Sequence, residues 1–571
     1  MKSGNISRLR LVYGLFLFLL ICLVSRLVVV QIVSGDYYRE RTNHQYISRE
    51  KGVFDRGSIY FTEENGEKRS AAMVKSGYRL SINPSIIDDA NSIYQALSAI
   101  LPIDEVSFLA KAAKKDDVYE EIARKIDNDT ARQISALDLT GVSLSKDSWR
   151  FYPAGDTAAH VLGFVGYRGN ELVGQYGLER YYDDVLSRGV NDLYVNVFAE
   201  IFSNMQFFDR GDGEDDKKGE IATSIEPSVQ NELENQLTSV MKKWSSDSAG
   251  GIIMDPKTGE IYAMASLPDF DPNSYNTVSD TSVYPNPIVE SVYEMGSIFK
   301  PLTMAAGIDS GAVTPETTYH DYGHVIVDGA RISNYDGRGR GVINMQRVLS
   351  ESLNTGAVFV MESMGKDTFR KYMLSYGLGE ETGIDLPHET PGLVSNLESK
   401  RTVEYATASF GQGVAVTPIE MIRALGALAN NGVLVNPHIV TEIDYENGTV
   451  KKIIPFEGKR VLKKTTTDQV TKMLINVVDD ALAGGTVKLD NYSIAAKTGT
   501  AQIARPSDGG YYKDRYLHSF FGYFPAYKPR FIVFLYTVYP KGTLYASHTL
   551  TEPFMNIAKF LLNYYQVPPD R

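Results

Sequence analysis

Cysteine is almost absent: the 571 residues contain one, Cys22, so no disulfide framework and no Cys-based zinc site is available. Histidine is scarce as well, and the eight present show no ligand spacing, so neither a metal nor another cofactor is expected. Charge of one sign is not concentrated anywhere. The net charge of −12 arises from 70 acidic and 58 basic residues dispersed along the chain, which excludes the basic stripe of a nucleic-acid binder. No tandem repeat of fixed period and no low-complexity tract is found. There is no G-x-S-x-G elbow and no histidine in a catalytic context, which weighs against a Ser-His-Asp triad. What remains is a chain with 43% hydrophobic residues, long enough at roughly 150 residues per domain for about two to four cores.

Long apolar runs are missing with one exception. From Leu11 to Val33 the chain reads LVYGLFLFLLICLVSRLVVVQIV, the length a helix needs to cross a hydrocarbon core of roughly 30 Å. A cleaved signal peptide would have a shorter apolar centre ending in small residues, and Gln31-Ile-Val-Ser34 offers no such site, so an uncleaved anchor over 11–33 is expected. Lys2, Arg8 and Arg10 precede it without an acid, which leaves residues 1–10 as a cytoplasmic tail and exports everything after the span. Arg26 and Gln31 lie within the run, where a polar group snorkels to the interface or meets a partner helix.

Residues 34–220 mix short strand-like and helical patterns and offer no cluster of nucleophile and base. The polar, glycine-containing stretch from Asp209 to Gly219 reads as a surface connection and sets a boundary there. In the second region, 221–571, Glu226 to Trp244 has apolar residues at helical intervals, and Gly250 to Met264 reads as two strands around a tight turn. Ser519 to Pro525 and Phe531 to Val538 are aromatic and β-branched runs suited to buried strands, and Pro553 to Tyr564 reads as a closing helix. Strands at both ends with helices between them predict an α+β domain.

Three short motifs carry chemistry: Ser297-Ile-Phe-Lys300, Ser352-Leu-Asn354 and Lys497-Thr-Gly-Thr500. Each alone is weak, since S-x-x-K recurs at Ser48, Ser143, Ser239 and Ser363, and Lys257-Thr-Gly259 repeats the third within an ordinary turn. Order and local context give them weight. Gly296 precedes Ser297, and the run from Ile298 to Ile308 is helix-compatible with Pro301 in its first turn, so Ser297 is expected at a helix N-terminus. Three residues apart on one face, Lys300 as a neutral amine can take the Ser297 proton while the helix dipole favours the developing anion. Burial and a second cation, Lys497, would lower the Lys300 pKa. The Ser352 hydroxyl both donates and accepts, which suits a proton relay, and Asn354 can fix a lysine or a substrate amide. Gly499 would leave room for a substrate backbone beside a strand, with Lys497, Thr498 and Thr500 binding its carboxylate. The backbone N–H groups of Ser297 and Thr500 are candidates for the oxyanion hole.

S-x-x-K with S-D-N and K-T-G is the signature of β-lactamases and penicillin-binding proteins, and here Leu353 stands at the place of the middle motif's aspartate. The chain resembles a class B penicillin-binding protein over nearly its whole length. Tyr293 to Pro301, Tyr376-Gly-Leu-Gly-Glu-Glu-Thr-Gly-Ile-Asp-Leu-Pro387, Ser409-Phe-Gly-Gln-Gly-Val-Ala-Val-Thr-Pro418 and Lys497 to Gln502 resemble family landmarks in family order. Arg56-Gly-Ser-Ile59, Arg150-Phe-Tyr-Pro-Ala-Gly155, Ala159-His-Val-Leu-Gly163 and Gly177-Leu-Glu179 resemble motifs of the family's non-catalytic pedestal. Met295 stands where many relatives have proline, and the segment after Tyr60 departs from the usual Asp-Arg-Asn-Gly.

The resemblance implies a penicillin-recognising fold, an antiparallel sheet flanked by helices over 221–571, preceded by a mixed α/β pedestal of dimerisation type over 34–220 and the membrane helix. It implies a serine D,D-transpeptidase in which Ser297 attacks the D-Ala-D-Ala end of a donor stem peptide, D-alanine leaves, and another stem peptide's amine resolves the acyl-enzyme. Implied partners are peptidoglycan stem peptides on lipid-linked nascent glycan, β-lactams, the cytoplasmic membrane, a polytopic SEDS-type, FtsW-like glycosyltransferase and division proteins. The Ser352-Leu-Asn354 form with Ile332-Ser-Asn334 ahead of it is more similar to division-type enzymes than to elongation-type ones. A β-lactamase or β-lactam sensor, and a catalytically silent scaffold of wall synthesis, are the rival readings.

Overall fold

The computed structural model describes residues 54–169, 171–188, 218–454, 458–505 and 509–571. The expected anchor over 11–33 and residues 209–217 of the expected connection lie outside the described residues. Among the described residues no helix is long and apolar enough to cross a membrane. These residues fall into two compact units: the smaller holds 54–55 and 76–148, and the larger holds 56–75, 149–169, 171–188 and the described residues from 218 to 571.

In the smaller unit the second half of the strand Lys68–Ile82 pairs antiparallel with Glu120–Ile126. Three short helices, Ala90–Ser98, Glu105–Ala112 and Asn128–Ala136, begin behind Asp89, Asp104 and Asp127, whose carboxylates accept backbone N–H groups of the first turn. Their apolar faces close a small core of Leu80, Leu97, Phe108, Ile126 and Ile134.

The larger unit is organised by a five-stranded antiparallel sheet. Its strands are β1 (Ser248–Met254), β2 (Ile261–Leu267), β3 (Ala495–Ala504), β4 (Tyr511–Phe524) and β5 (Phe531–Val538), in the spatial order β3-β4-β5-β1-β2. The helices used below are α1 (Pro227–Trp244), α2 (Lys300–Asp309), α3 (Asn354–Met364), α4 (Pro418–Ala429), α5 (Lys464–Asn476) and α6 (Thr551–Tyr564). The period-2 pattern of a strand buries both faces of the sheet in different company. Phe531, Val533 and Leu535 of β5 join a core with Val229, Leu233, Leu237 and Val240 of α1 and Phe554, Ile557 and Leu561 of α6. The intervening Ile532, Phe534 and Tyr536 face the opposite core, which holds Leu302 of α2, Val358 of α3, Ile422 of α4 and Leu474 of α5. The α+β domain, the β1–β2 hairpin, both C-terminal strands and the closing helix expected from the sequence are all present.

Three of the pedestal motifs meet in the larger unit. Glu179, fully buried, accepts from Arg56 Nε at 2.6 Å and from Arg150 Nε at 2.6 Å, and Arg150 Nη1 donates to Gly57 O at 2.8 Å. Arg56 also reaches Asp183 at 2.8 Å, so each buried charge has an opposite partner. A short strand, Ile59–Thr62, lies parallel to Gly219–Thr223, which pairs antiparallel with Val440–Tyr445.

Candidate active site

Ser297 lies in a single 3₁₀ turn, Gly296–Phe299, that runs directly into α2 with Pro301 in its first turn. The sequence reading expected an α-helix from Ile298; the tighter turn eclipses positions three apart and brings the two side chains of the motif together. Lys300 Nζ accordingly stands 3.0 Å from Ser297 Oγ. Gly296 has φ +63, and a Cβ there would meet the carbonyl of Thr500, so glycine lets this turn press against β3. Behind the turn, Gly296 N donates to Gly411 O at 3.0 Å, and Tyr293 exchanges two backbone hydrogen bonds with Val416. The Ser409 to Pro418 segment is thus a brace for the approach to Ser297.

Ser352 precedes α3 and adopts the left-handed region at φ +56, a conformation that costs a non-glycine residue free energy. Its carbonyl oxygen accepts from Lys300 Nζ at 2.6 Å. Its hydroxyl lies 3.0 Å from Lys497 Nζ and 3.3 Å from Lys300 Nζ, so one oxygen is shared by both amines. Lys300 is 1% exposed and Lys497 3% exposed. Burial, and then the charge of Lys497, hold Lys300 well below the ordinary lysine value. Burial alone pushes Lys497 down to about 7. Among the described residues no carboxylate is a hydrogen-bond partner of either amine, so no opposite charge offsets the desolvation.

Lys497 to Thr500 lie on β3, an edge strand of the sheet. Gly499 meets a need within the chain itself. A Cβ there would meet Ser519 Oγ and the Met295 carbonyl oxygen, atoms of this chain, so the missing side chain makes room for the segment leading to Ser297. Thr500 Oγ1 accepts from Ala546 N at 3.1 Å and ties the short helix Ala546–Thr549 ahead of α6 to β3. Thr498 O accepts from Lys497 Nζ at 3.0 Å. Asn354 Nδ2 donates to Ser333 O at 3.0 Å; neither lysine is its partner.

The structure therefore brings Ser297, Lys300, Ser352 and Lys497 into one hydrogen-bonded group, with Thr498, Gly499 and Thr500 along its edge and Asn354 one step behind. No motif points to Ser519, which donates to Met295 O at 2.9 Å, or to a role for Glu294, which accepts from Gly413 N and Tyr511 OH, both at 2.9 Å. Lys257-Thr-Gly259 is a turn, with Lys257 N and Gly259 N both bonded to Asp255. Among the described residues no group of side chains could hold a metal ion.

Residues 249–559 match the penicillin binding protein transpeptidase domain family, and residues 55–215 match the penicillin-binding protein dimerisation domain family. The chain is 35% identical to stage V sporulation protein D of Bacillus subtilis, over 95% of this chain and 83% of that protein. It is 27% identical to peptidoglycan D,D-transpeptidase FtsI of Escherichia coli K12, over 99% of this chain and 92% of that one, and 27% identical to peptidoglycan D,D-transpeptidase MrdA of Acinetobacter baumannii, over 92% and 84%. The crystal structure of penicillin binding protein 2X from Streptococcus thermophilus superposes with a TM-score of 0.73 at 22% identity, covering 91% of this chain and 81% of that one. Its fold, its ordered motifs and these matches place the chain in the penicillin-binding protein transpeptidase family.

Proposed function

We propose that this protein is a peptidoglycan D,D-transpeptidase that cross-links stem peptides through an acyl-enzyme on Ser297. The observation that carries the reading is the 3.0 Å contact between Ser297 Oγ and the buried amine of Lys300. Neutral Lys300 takes the hydroxyl proton as Ser297 Oγ attacks the carbonyl of the penultimate D-alanine. The oxyanion falls between the N–H groups of Ser297 and Thr500; the edge position of β3 and the close approach of Gly296 to Thr500 support this pairing. As the peptide bond breaks, the proton returns through Lys300 and the Ser352 hydroxyl to the leaving D-alanine amine. An acceptor amine then attacks the ester, gives up a proton along the same relay, and a new peptide bond forms as Ser297 regains its proton. Lys497, Thr498 and Thr500 line the edge that receives the substrate carboxylate, and Asn354 steadies the Ser352 turn.

Residues 221–571 form the transpeptidase domain in this reading and 34–220 the non-catalytic pedestal. Residues 1–10 are cytoplasmic, 11–33 span the cytoplasmic membrane once, and the catalytic domain faces outward, supported by the cationic N-terminus and the apolar run. β-Lactams, which mimic the D-Ala-D-Ala terminus, acylate Ser297. The working partners are nascent lipid-linked glycan, a polytopic SEDS-type, FtsW-like glycosyltransferase and division proteins, with septal synthesis as the role. A second reading, synthesis of a spore wall, is favoured by the 35% identity to a sporulation protein against 27% to FtsI.

The full-length protein with a D-Ala-D-Ala donor peptide and an amine acceptor is expected to release D-alanine in step with cross-linked product. It is expected to hold covalent penicillin for many minutes. Rapid turnover of penicillin would make it a hydrolase, and no D-alanine release would make it a scaffold. Loss of septa against loss of spores on depletion separates the two cellular roles.

A further inference from the structure

Helix α3 starts at Asn354 with no side-chain cap of its own, because Leu353 occupies the cap position. The N–H of Thr355 in its first turn is met from elsewhere: Asn334 Oδ1 accepts it at 3.2 Å. Asn334 is in turn gripped by Asp321, since its amide nitrogen lies 3.1 and 3.0 Å from the two carboxylate oxygens. Asp321 ends the strand Thr318–Asp321, which pairs antiparallel with Gly341–Asn344. The same carboxylate accepts from Gly323 N at 2.9 Å and Arg340 N at 3.1 Å, and the Thr355 hydroxyl lies 2.9 Å away. Asp321 is 1% and Asn334 3% exposed, so these bonds form away from water, where an unmet donor is costly.

We propose that Asp321 is a positioning residue for Ser352, acting through Asn334 and the first turn of α3. The proposal rests on the reading of Ser352 as the relay between Lys300 and Lys497. Ser352 is two residues before α3 and holds a strained backbone at φ +56. Such a conformation persists only where the chain is fixed on both sides. On the earlier side Ser352 N and Leu353 N are bonded to Leu349 O and Val348 O. On the later side the fixing is done by Asn334 on Thr355 N and by Ser333 O on the Asn354 amide. Asp321 holds the turn carrying both, and its negative charge complements the positive end of α3. Released, Ser352 would relax toward common backbone angles and carry its hydroxyl out from between the two amines.

The test is pre-steady-state acylation of the full-length protein by a fluorescent penicillin. Asp321→Asn puts an amide where Asn334 and Arg340 donate. It is expected to lower the limiting acylation rate about 10- to 100-fold while the pre-covalent dissociation constant changes less than about twofold. In a Ser352→Ala background the same change is expected to cost less than about threefold, because no relay is left to position. Asn334→Ser, which keeps Asp321 but removes the bridge, is expected to repeat this pattern and carries the test if Asp321→Asn does not fold. An unchanged rate in the single variants, or equal losses with and without the Ser352 hydroxyl, would overturn the proposal. Mapping the label separates the two levels. Label on Ser297 with unchanged variants defeats the positioning role alone, whereas label on another residue defeats the underlying reading with it.

Discussion

Lys300 and Lys497 converge on one hydroxyl, their amine nitrogens lying 3.3 and 3.0 Å from Ser352 Oγ. Two charged ammonium groups cannot share that buried space cheaply, and burial together with the charge of Lys497 disfavours the proton on Lys300. Penicillin acylation is therefore expected to rise with pH as Lys300 becomes neutral. In Lys497→Met the neighbouring charge is gone, Lys300 binds its proton more tightly, and the midpoint of the rise moves to higher pH. A stopped-flow pH profile checks this; an unmoved or more acidic midpoint contradicts it.

Burial pushes Lys497 from its ordinary 10.5 to about 7. Between these values the unfolded chain keeps a proton that the folded protein has released, so stability rises with pH across that window. The contribution is complete above 10.5 and is lost as pH falls through about 7. Lys497→Met is expected to stabilise the protein most near about pH 6 and progressively less toward about pH 10. Urea unfolding of both proteins across the range measures the difference; a gap that widens with pH runs against it.

Gly499→Ala would drive a methyl group into Ser519 Oγ and Met295 O. Overpacking of this kind costs about 1–3 kcal/mol, and the strain falls on the turn that aims Ser297. Acylation is expected to fall about 100-fold while the protein remains folded. Near-normal acylation would show that β3 does not set the nucleophile's position.

Glu179→Ala would leave Arg56 and Arg150 facing each other in a buried site. The expected loss is about 3–5 kcal/mol in unfolding free energy, because a buried charge without its partner is more costly than the intact pair is favourable. Guanidinium unfolding tests this, and a loss below about 1 kcal/mol would show that water reaches the cluster.

The three motifs that meet at the site are legible because order, spacing and local context together set them apart from decoys such as Ser143 and Ser363. The strands are legible because every residue from Phe531 to Val538 except Leu535 is β-branched or aromatic, which suits a strand buried on both faces. The long-range partnerships were not legible. Nothing local marks Asp321 as the support of an asparagine 13 residues later, or Ser519 as the partner of a carbonyl 224 residues earlier. The packing of Gly499 against Ser519 and Met295 is not legible either, because the sequence cannot say which side of a strand a neighbouring segment takes. Glu179 belongs to the short motif Gly177-Leu-Glu179, yet only the fold brings it to two arginines from other motifs.

The most direct measurement is mass mapping of the full-length protein after exposure to penicillin, beside a Ser297→Ala variant. One drug mass is expected on the peptide containing Ser297 and none anywhere in the folded variant. Equal labelling of the variant, or a modified residue other than Ser297, would contradict it.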